Sequence, residues 1–374
     1  MKYCKKCLQP DTRPHIAFDE HQVCFACRYE ELKKDIDWGE RKAELREIAK
    51  TAMEKYAPYD CAIGISGGKD STFQALYAKE KLKMKVLLVN GAPDGITEIG
   101  RKNLENLLSK GFDMISLRPN PIIAKQLAKR AFIKEGNMVG PSEYALWAST
   151  YMIADKFDIP LIIQGENTAL TLGTVSKMKK DGDAFGVVDL NTLKGGGLET
   201  LINYDVSEND LYMYNLSCVN NCKQKGIKAV WLQYYAKEWS QVNNADFSIA
   251  RGLTGRTDDL TNIGRYRRYT ALDGDVQIVN QMLKYLKLGF GFATDEACYD
   301  IREGRLTRED AVWLVEEYDG KCGDKYILEF CDYIDMTVED FWTITEKFVN
   351  RKLFERIGEK KYKPKFKVGT DFNE

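Results

Sequence analysis

The stretch Cys61-Ala62-Ile63-Gly64-Ile65-Ser66-Gly67-Gly68-Lys69-Asp70-Ser71 decides the fold. A short apolar run enters a Ser-Gly-Gly turn, and residues 71–81 then carry Phe73, Leu76 and Tyr77 on one helical face. The segment reads as strand, glycine-rich loop, helix. Glycines let the backbone turn tightly and come close to an anion. Successive N–H groups at a helix start form a nest for phosphate oxygens. Ser66 and Ser71 add hydroxyl donors, and Lys69 adds a positive charge. Asp70 is a candidate Mg²⁺ ligand, directly or through water. The Walker spacing, with four residues between Gly and Gly-Lys, is absent.

The alternation continues outward from this loop. Residues 85–90, 114–117, 161–164 and 229–233 read as strands. Residues 97–109, 122–133 and 142–156 read as helices, the last capped by Ser142. The pattern predicts an α/β fold, a parallel sheet wrapped by helices. Ligands bind such sheets at the carboxyl ends of the strands. That rule draws in Asn90, and then Gly165, Glu166 and Asn167. Gly165 is expected to let a nucleotide approach closely. Glu166 is expected to hold Mg²⁺ or orient a nucleophile.

Upstream, residues 41–56 read as a helix. Residues 168–215, rich in Gly, Asp, Asn and Lys, read as long loops near a site. Beyond residue 236 the pattern turns helical, with capping boxes opening at Thr307 and Thr337. The stripe Val338, Phe341, Trp342, Thr345 and Phe348 reads as core. Residues 360–367, five lysines among aromatics, read as a solvated, partly disordered end. Four units are expected: a zinc knuckle over 1–35, a linker helix over 36–58, an ATP-binding domain over 59–235 and a helical region over 236–374.

Cys4-x2-Cys7 and Cys24-x2-Cys27 have the paired spacing of a tetrahedral Zn²⁺ site. Four sulfur ligands close the site, which makes it structural. Cys218-x3-Cys222 is ambiguous, and an inert buried pair is the favoured reading. Cys61, Cys298, Cys322 and Cys331 read as thiols without partners.

Composition narrows the function. The chain has two histidines, His15 and His21, both inside the cysteine-rich segment. A Cys-His or Ser-His triad would have to borrow one of them, which argues against a built-in glutaminase. Net charge is −1, so no global basic excess points to a nucleic-acid partner. No apolar run approaches a membrane span, and the start lacks a signal-peptide core. The chain is expected to be cytoplasmic.

The string from Ser66 to Ser71 is the PP-loop signature. Enzymes with this loop resemble one another in splitting ATP between its α- and β-phosphates and attaching AMP to a carbonyl or amide oxygen. More of the chain resembles one family, the N-acetyl sugar amidotransferases of the WbpG or PseA type. Tyr3-Cys4-x2-Cys7-x2-Pro10-Asp11-Thr12-Arg13-Pro14 is similar to their opening. Gly165-Glu166-Asn167 and Leu288-Gly289-Phe290-Gly291-Phe292-Ala293-Thr294-Asp295 are similar to later motifs.

The resemblance implies that ATP adenylates the acetamido oxygen of a surface-polysaccharide sugar, nucleotide sugar or nonulosonic acid. Ammonia then displaces AMP to give an acetamidino sugar. It implies a separate glutaminase like that of imidazole glycerol phosphate synthase, with a cyclase-like companion. Ser66 to Ser71 then bind the ATP phosphates, and Glu166 sits near Mg²⁺ or the adenylate. Lys177, Lys179, Lys180, Arg251 and Arg256 are available to meet an acidic sugar. Phe292 stands where many relatives carry Arg, which leaves the sugar's identity open. Two rivals stand beside this reading. One is a tRNA-thiolating PP-loop enzyme using Cys218 and Cys222. The other is a catalytically silent scaffold that docks a glutaminase.

Overall fold

The computed structural model describes residues 1–92, 95–174, 179–190, 192–193, 195–203 and 205–373. The cysteine-rich segment holds α1 (Phe25–Leu32), and α2 (Trp38–Met53) follows it. Then come β1 (Cys61–Gly64), α3 (Lys69–Glu80), β2 (Val86–Gly91), α4 (Glu98–Leu108) and β3 (Asp113–Leu117). Next are α5 (Pro121–Glu135), α6 (Gly140–Phe157), β4 (Leu161–Gln164) and α7 (Thr168–Thr171). The sheet region closes with α8 (Ser217–Gln224), β5 (Lys228–Trp231), α9 (Leu232–Tyr235) and α10 (Gln241–Ile249). Five helices follow: α11 (Val276–Leu288), α12 (Phe292–Arg302), α13 (Arg308–Tyr318), α14 (Asp324–Tyr333) and α15 (Val338–Phe348). A hairpin, β6 (Phe354–Gly358) and β7 (Lys361–Pro364), comes last.

Strands β1 to β5 form one parallel sheet in the order β3-β2-β1-β4-β5. The expected α/β class holds. Strands β1, β2 and β4 read as almost unbroken apolar runs because both faces of the sheet are covered. Ala62, Leu87, Val89, Ile162 and Ala229 pack on one side against α5 and α6. Ile63, Leu88, Leu161, Ile163 and Val230 pack on the other against α2, α3 and α4. From β1 the chain winds outward through β2 to β3, then returns to place β4 on the far side of β1. The sheet therefore reverses its winding between β1 and β4, and a crevice opens there at the carboxyl ends of the strands.

Four expectations need correction. Helix α3 starts at Lys69, two residues before Ser71, because Gly68 already takes the N-cap conformation. Helix α6 starts at Gly140; Ser142 lies in its first turn, where its hydroxyl donates to Val139 O at 2.8 Å. Pro141 in that turn pre-sets the helical φ. The glycine-rich stretch after α7 is packed rather than loose. Its Leu190, Leu193, Leu201, Val206, Leu211 and Tyr214 are buried in the same core as α6. Those apolar residues follow no helical or strand period, so periodicity could not find them. Finally, residues 360–367 carry a strand of the hairpin. Phe366 is buried against Phe354 at 5.7 Å, while the lysines stay exposed.

Thr307 and Thr337 do cap α13 and α15, accepting from Asp310 N and Asp340 N. Phe341 of α15 stacks on Phe132 of α5 at 5.0 Å, inside a core that joins the late helices to the sheet region. The two chain ends meet. The Met1 amino group donates to Phe372 O at 2.6 Å, and Tyr3 N donates to Asp371 Oδ1 at 2.8 Å. Thr12 Oγ1 donates to Leu288 O at 2.6 Å, and Arg13 ion-pairs with Asp295.

Candidate active site

The loop between β1 and α3 lies at the sheet's switch point. Gly67 has φ +88°, and a Cβ there would meet Gly100 O at 2.5 Å. Only glycine fits this position. Asn103 of α4 holds the loop, donating to Gly67 O at 2.9 Å. Asn90, at the end of β2, is buried and donates to Ile65 O at 2.8 Å. Its amide thereby braces the loop. Ser71 Oγ accepts from Ser66 N at 3.4 Å and closes the loop on itself.

Lys69 is buried, and its ammonium meets Asp70 Oδ2 at 2.6 Å. Helix α10 clamps this pair from outside. Asn244 Nδ2 donates to Asp70 Oδ1 at 2.8 Å, and Ser248 Oγ donates to Lys69 O at 3.0 Å. Asp70 stays partly open to solvent.

Glu166 follows β4 on the other side of the crevice. Burial raises its carboxyl pKa, the negative charge of Asp70 adds to that, and Lys69 counters it. Lys69, Asp70 and Glu166 thus share one electrostatic neighbourhood. Gly165 also answers a packing demand. A Cβ on it would strike Gln74 Nε2 at 2.4 Å and Trp239 at 3.0 Å, so close packing of the chain on itself demands glycine there. Asn167 is buried and caps α7 through Ala169 N. A residue that sequence reading missed reaches Glu166 from α12: the hydroxyl of Tyr299 donates to its carboxylate. Arg302, one turn on, donates to Thr171 O at 3.0 Å.

Beside the loop lies a cleft of about 410 Å³ whose wall includes Ser66 and Asn90. Its far wall comes from residues 273–277 and from Tyr326, Glu329 and Phe330 of α14.

The cysteine pairs converge. Cys4, Cys7, Cys24 and Cys27 are buried, with all four sulfurs within 4.8 Å of one another. Sγ–Sγ distances are 3.9 Å for Cys4–Cys27 and 3.8 Å for Cys7–Cys24. A tetrahedron with Zn–S of about 2.3 Å needs sulfurs about 3.8 Å apart, so the four thiols fit a structural Zn²⁺. Cys24 N and Gln9 N donate to Cys4 and Cys7 sulfurs, as suits thiolates. Cys298 of α12, read from sequence as a lone thiol, packs against this cluster. His15 and His21 stay outside it.

The basic residues offered for an acidic sugar do not gather. Arg256 is buried and held by Ala271 O, Asp258 and Asp275. Arg251 pairs with Glu80 and lies over the Phe247 ring. Lys180 sits over the Phe25 ring at 3.6 Å, and Lys179 is exposed. Lys177 lies outside the described residues. Cys218 and Cys222 are buried against α6, with Cys222 Sγ 3.2 Å from Tyr151 O. Burial pushes both thiols up to about 12, so neither ionises readily.

Residues 263–367 match the model of a domain described as "LPS biosynthesis protein WbpG-like, C-terminal domain". Over these residues the chain is similar to WbpG-like proteins. The resemblance drawn from the sequence motifs holds over this region. The matched WbpG-like segment carries Tyr299, the contacts of α12 to the cysteine cluster, and the far wall of the cleft. No curated protein matches the chain. Among solved structures, an NMN synthetase from Francisella tularensis is 17% identical, with 51% of this chain and 97% of that chain covered. Its TM-score is 0.29, too low to support fold or activity. Among the described residues, no helix is long and apolar enough to cross a membrane.

Proposed function

We propose that this chain is an AMP-forming amidotransferase. It would use ATP to turn the acetamido group of a bacterial surface-polysaccharide or nonulosonate sugar into an acetamidino group, with ammonia from a partner glutaminase. One observation carries the reading: the Ser66–Ser71 loop opens at the switch point with Lys69, Asp70 and Glu166 around one crevice. The WbpG-like match of residues 263–367 supports the sugar class.

An amide oxygen is a poor leaving group at neutral pH, and adenylation makes it a good one. The acetamido oxygen attacks the α-phosphorus of ATP, and pyrophosphate departs. Ammonia adds to the activated carbon and sheds a proton. AMP then leaves with the former amide oxygen, and the C=N bond forms. The loop N–H groups and Lys69 face the charge that grows on pyrophosphate. Asn103, Asn244 and Ser248 hold those groups in place before reaction. Asp70 and Glu166 offer the hard oxygen donors that suit Mg²⁺, which when bound would neutralise phosphate charge. Glu166, whose burial raises its carboxyl pKa, would take the proton that ammonia sheds. The chain's own histidines lie in the cysteine-rich segment, which argues against a built-in histidine-dependent glutaminase and favours ammonia from a partner.

A product assay tests the reading. Protein, Mg-ATP and ammonium are mixed with a panel of acetamido sugars, and tRNA is supplied in a parallel tube. Sugar-dependent AMP, with oxygen replaced by NH in the sugar, supports it. AMP that appears only with tRNA would assign the chain to RNA modification. The buried, protonated Cys218 and Cys222 weigh against that outcome.

A further inference from the structure

A second, much smaller space lies beside Glu166. It is a gap of about 30 Å³ between α1 of the cysteine knuckle, α7, α10 and α12. That volume holds about two waters, and no sugar or nucleotide. Tyr299 and Thr171 line its inner end, and both hydrogen-bond the Glu166 carboxylate. Glu30 and Lys33 of α1 line its outer end. They pair at 3.0 Å with both side chains partly exposed, so this end reaches solvent.

The walls between the two ends are firm. Ala26, Leu170 and Trp239 are buried, and Trp239 packs edge-on against Phe73 at 5.6 Å. Just beyond α7, a Cβ on Gly173 would meet Ala26 N at 2.7 Å, so α7 and α1 are closely packed. The two carboxylates along the gap are both paired, Glu30 with Lys33 and Glu303 with Arg305. Neither is left to trap a cation, and the guanidinium of Arg302 repels one. The gap therefore suits a neutral, water-sized molecule that hydrogen-bonds.

We propose that ammonia reaches the crevice through this gap, passing the Tyr299 hydroxyl to arrive beside Glu166. The proposal rests on the amide activation argued above. The species that adds to the activated carbon is NH₃, and the gap suits that form. Ammonium sheds its proton to solvent at the outer end, and NH₃ enters. The Tyr299 hydroxyl donates to Glu166, which leaves its oxygen able to accept an N–H of the incoming molecule. ATP and the acceptor enter by the open crevice, so a separate entry lets the nucleophile arrive after both are bound.

Two rates on the full chain test this, with the panel of acetamido sugars and with ammonium chloride as the probe. Sugar-dependent ATP–pyrophosphate exchange without ammonium reports adenylation alone. Acetamidino product against ammonium concentration reports entry of the nucleophile. Gln241 lines the gap from the first turn of α10 and lies outside the phosphate loop. Gln241→Trp should leave exchange unchanged and raise the KM for ammonium about tenfold, as when a filled space must be forced open. Gln241→Ala should leave both unchanged. If Gln241→Trp misfolds, Glu30→Trp at the outer end should give the same result. An unchanged KM for ammonium in the folded tryptophan variants would overturn the proposal. So would equal rises in Gln241→Ala and Gln241→Trp, since bulk would then not be the cause. Wild-type protein without exchange would instead remove the amide activation itself, and the route would fall with it.

Discussion

The hydroxyl of Tyr299 donates to the carboxylate of Glu166. Tyr299 sits on α12 between Cys298, which packs on the cysteine cluster, and Arg302, which holds the carbonyl of Thr171. Helix α12 is thus a strut from the four-cysteine knuckle to the end of β4. Through it the WbpG-like domain sets where one carboxylate of the crevice points.

Removing that hydroxyl should cost turnover, not folding. Tyr299→Phe is expected to lower kcat for AMP formation about tenfold, the worth of one hydrogen bond to a charged group, with the KM for ATP unchanged. In a Glu166→Gln background the same change should do nothing further, because the two residues act as a unit. Steady-state kinetics of the four proteins checks it. Equal losses in both backgrounds would show that Tyr299 acts elsewhere.

Glycines 67 and 226 make a matched pair for the loop. Both have positive φ, +88° and +70°. A Cβ at Gly67 strikes backbone, whereas one at Gly226 meets nothing within 4 Å. Gly226→Ala should therefore cost only the left-handed strain, about 1 kcal/mol. Gly67→Ala should displace the loop and abolish AMP formation while circular dichroism stays native. An active Gly67→Ala protein would contradict the tight packing of loop on α4.

The knuckle should hold one metal ion and depend on it. Elemental analysis is expected to find one Zn²⁺ per chain, lost in Cys4→Ser. Because Arg13 pairs with Asp295, and Lys284 also donates to Asp295, loss of the acid strands two largely shielded cations. Asp295→Asn should destabilise by about 3–5 kcal/mol, more than Arg13→Met, which leaves the Lys284 pair intact. Denaturant titrations of the two variants measure the difference.

The joined chain ends should open in acid. Asp371 accepts from Tyr3 N and Gln22 Nε2 and pairs with Lys5. Those bonds hold its carboxyl down at about 2, below the usual carboxylate range. A depressed carboxyl stabilises the fold above its unfolded pKa, and that contribution fades as pH falls through about 2. Hydrogen exchange at the amide of Tyr3 should therefore be slow at pH 6 and speed up between pH 4 and 2 relative to Asp371→Asn, which lacks the dependence. Identical pH profiles for the two proteins would rule the contact out.

Local pattern made the sheet legible. Apolar runs ending in Gly or Asn marked β1, β2 and β4, and the loop string marked the crevice. The paired cysteines announced their cluster by spacing alone. What failed to show was long-range. Nothing local in Tyr299 says that it meets Glu166, 133 positions away. Asn90 and Gly165 looked like ligand residues from their strand-end positions. They also serve the packing of the loop and of α3, which was not legible because contact partners on other helices leave no mark in the local pattern. The hairpin was masked by its lysines, whose charge outweighed the alternating Phe354, Tyr362 and Phe366 in a reading of composition.

The claim that this chain adenylates an amide oxygen is best tested by following that oxygen. An acetamido sugar that supports turnover is labelled with ¹⁸O at its amide carbonyl and converted with Mg-ATP and ammonium, and the products are read by mass spectrometry. The account predicts the label in the phosphate of AMP, with none in pyrophosphate and an acetamidino sugar free of it. Label in water or in inorganic phosphate, or an unlabelled AMP, would contradict it.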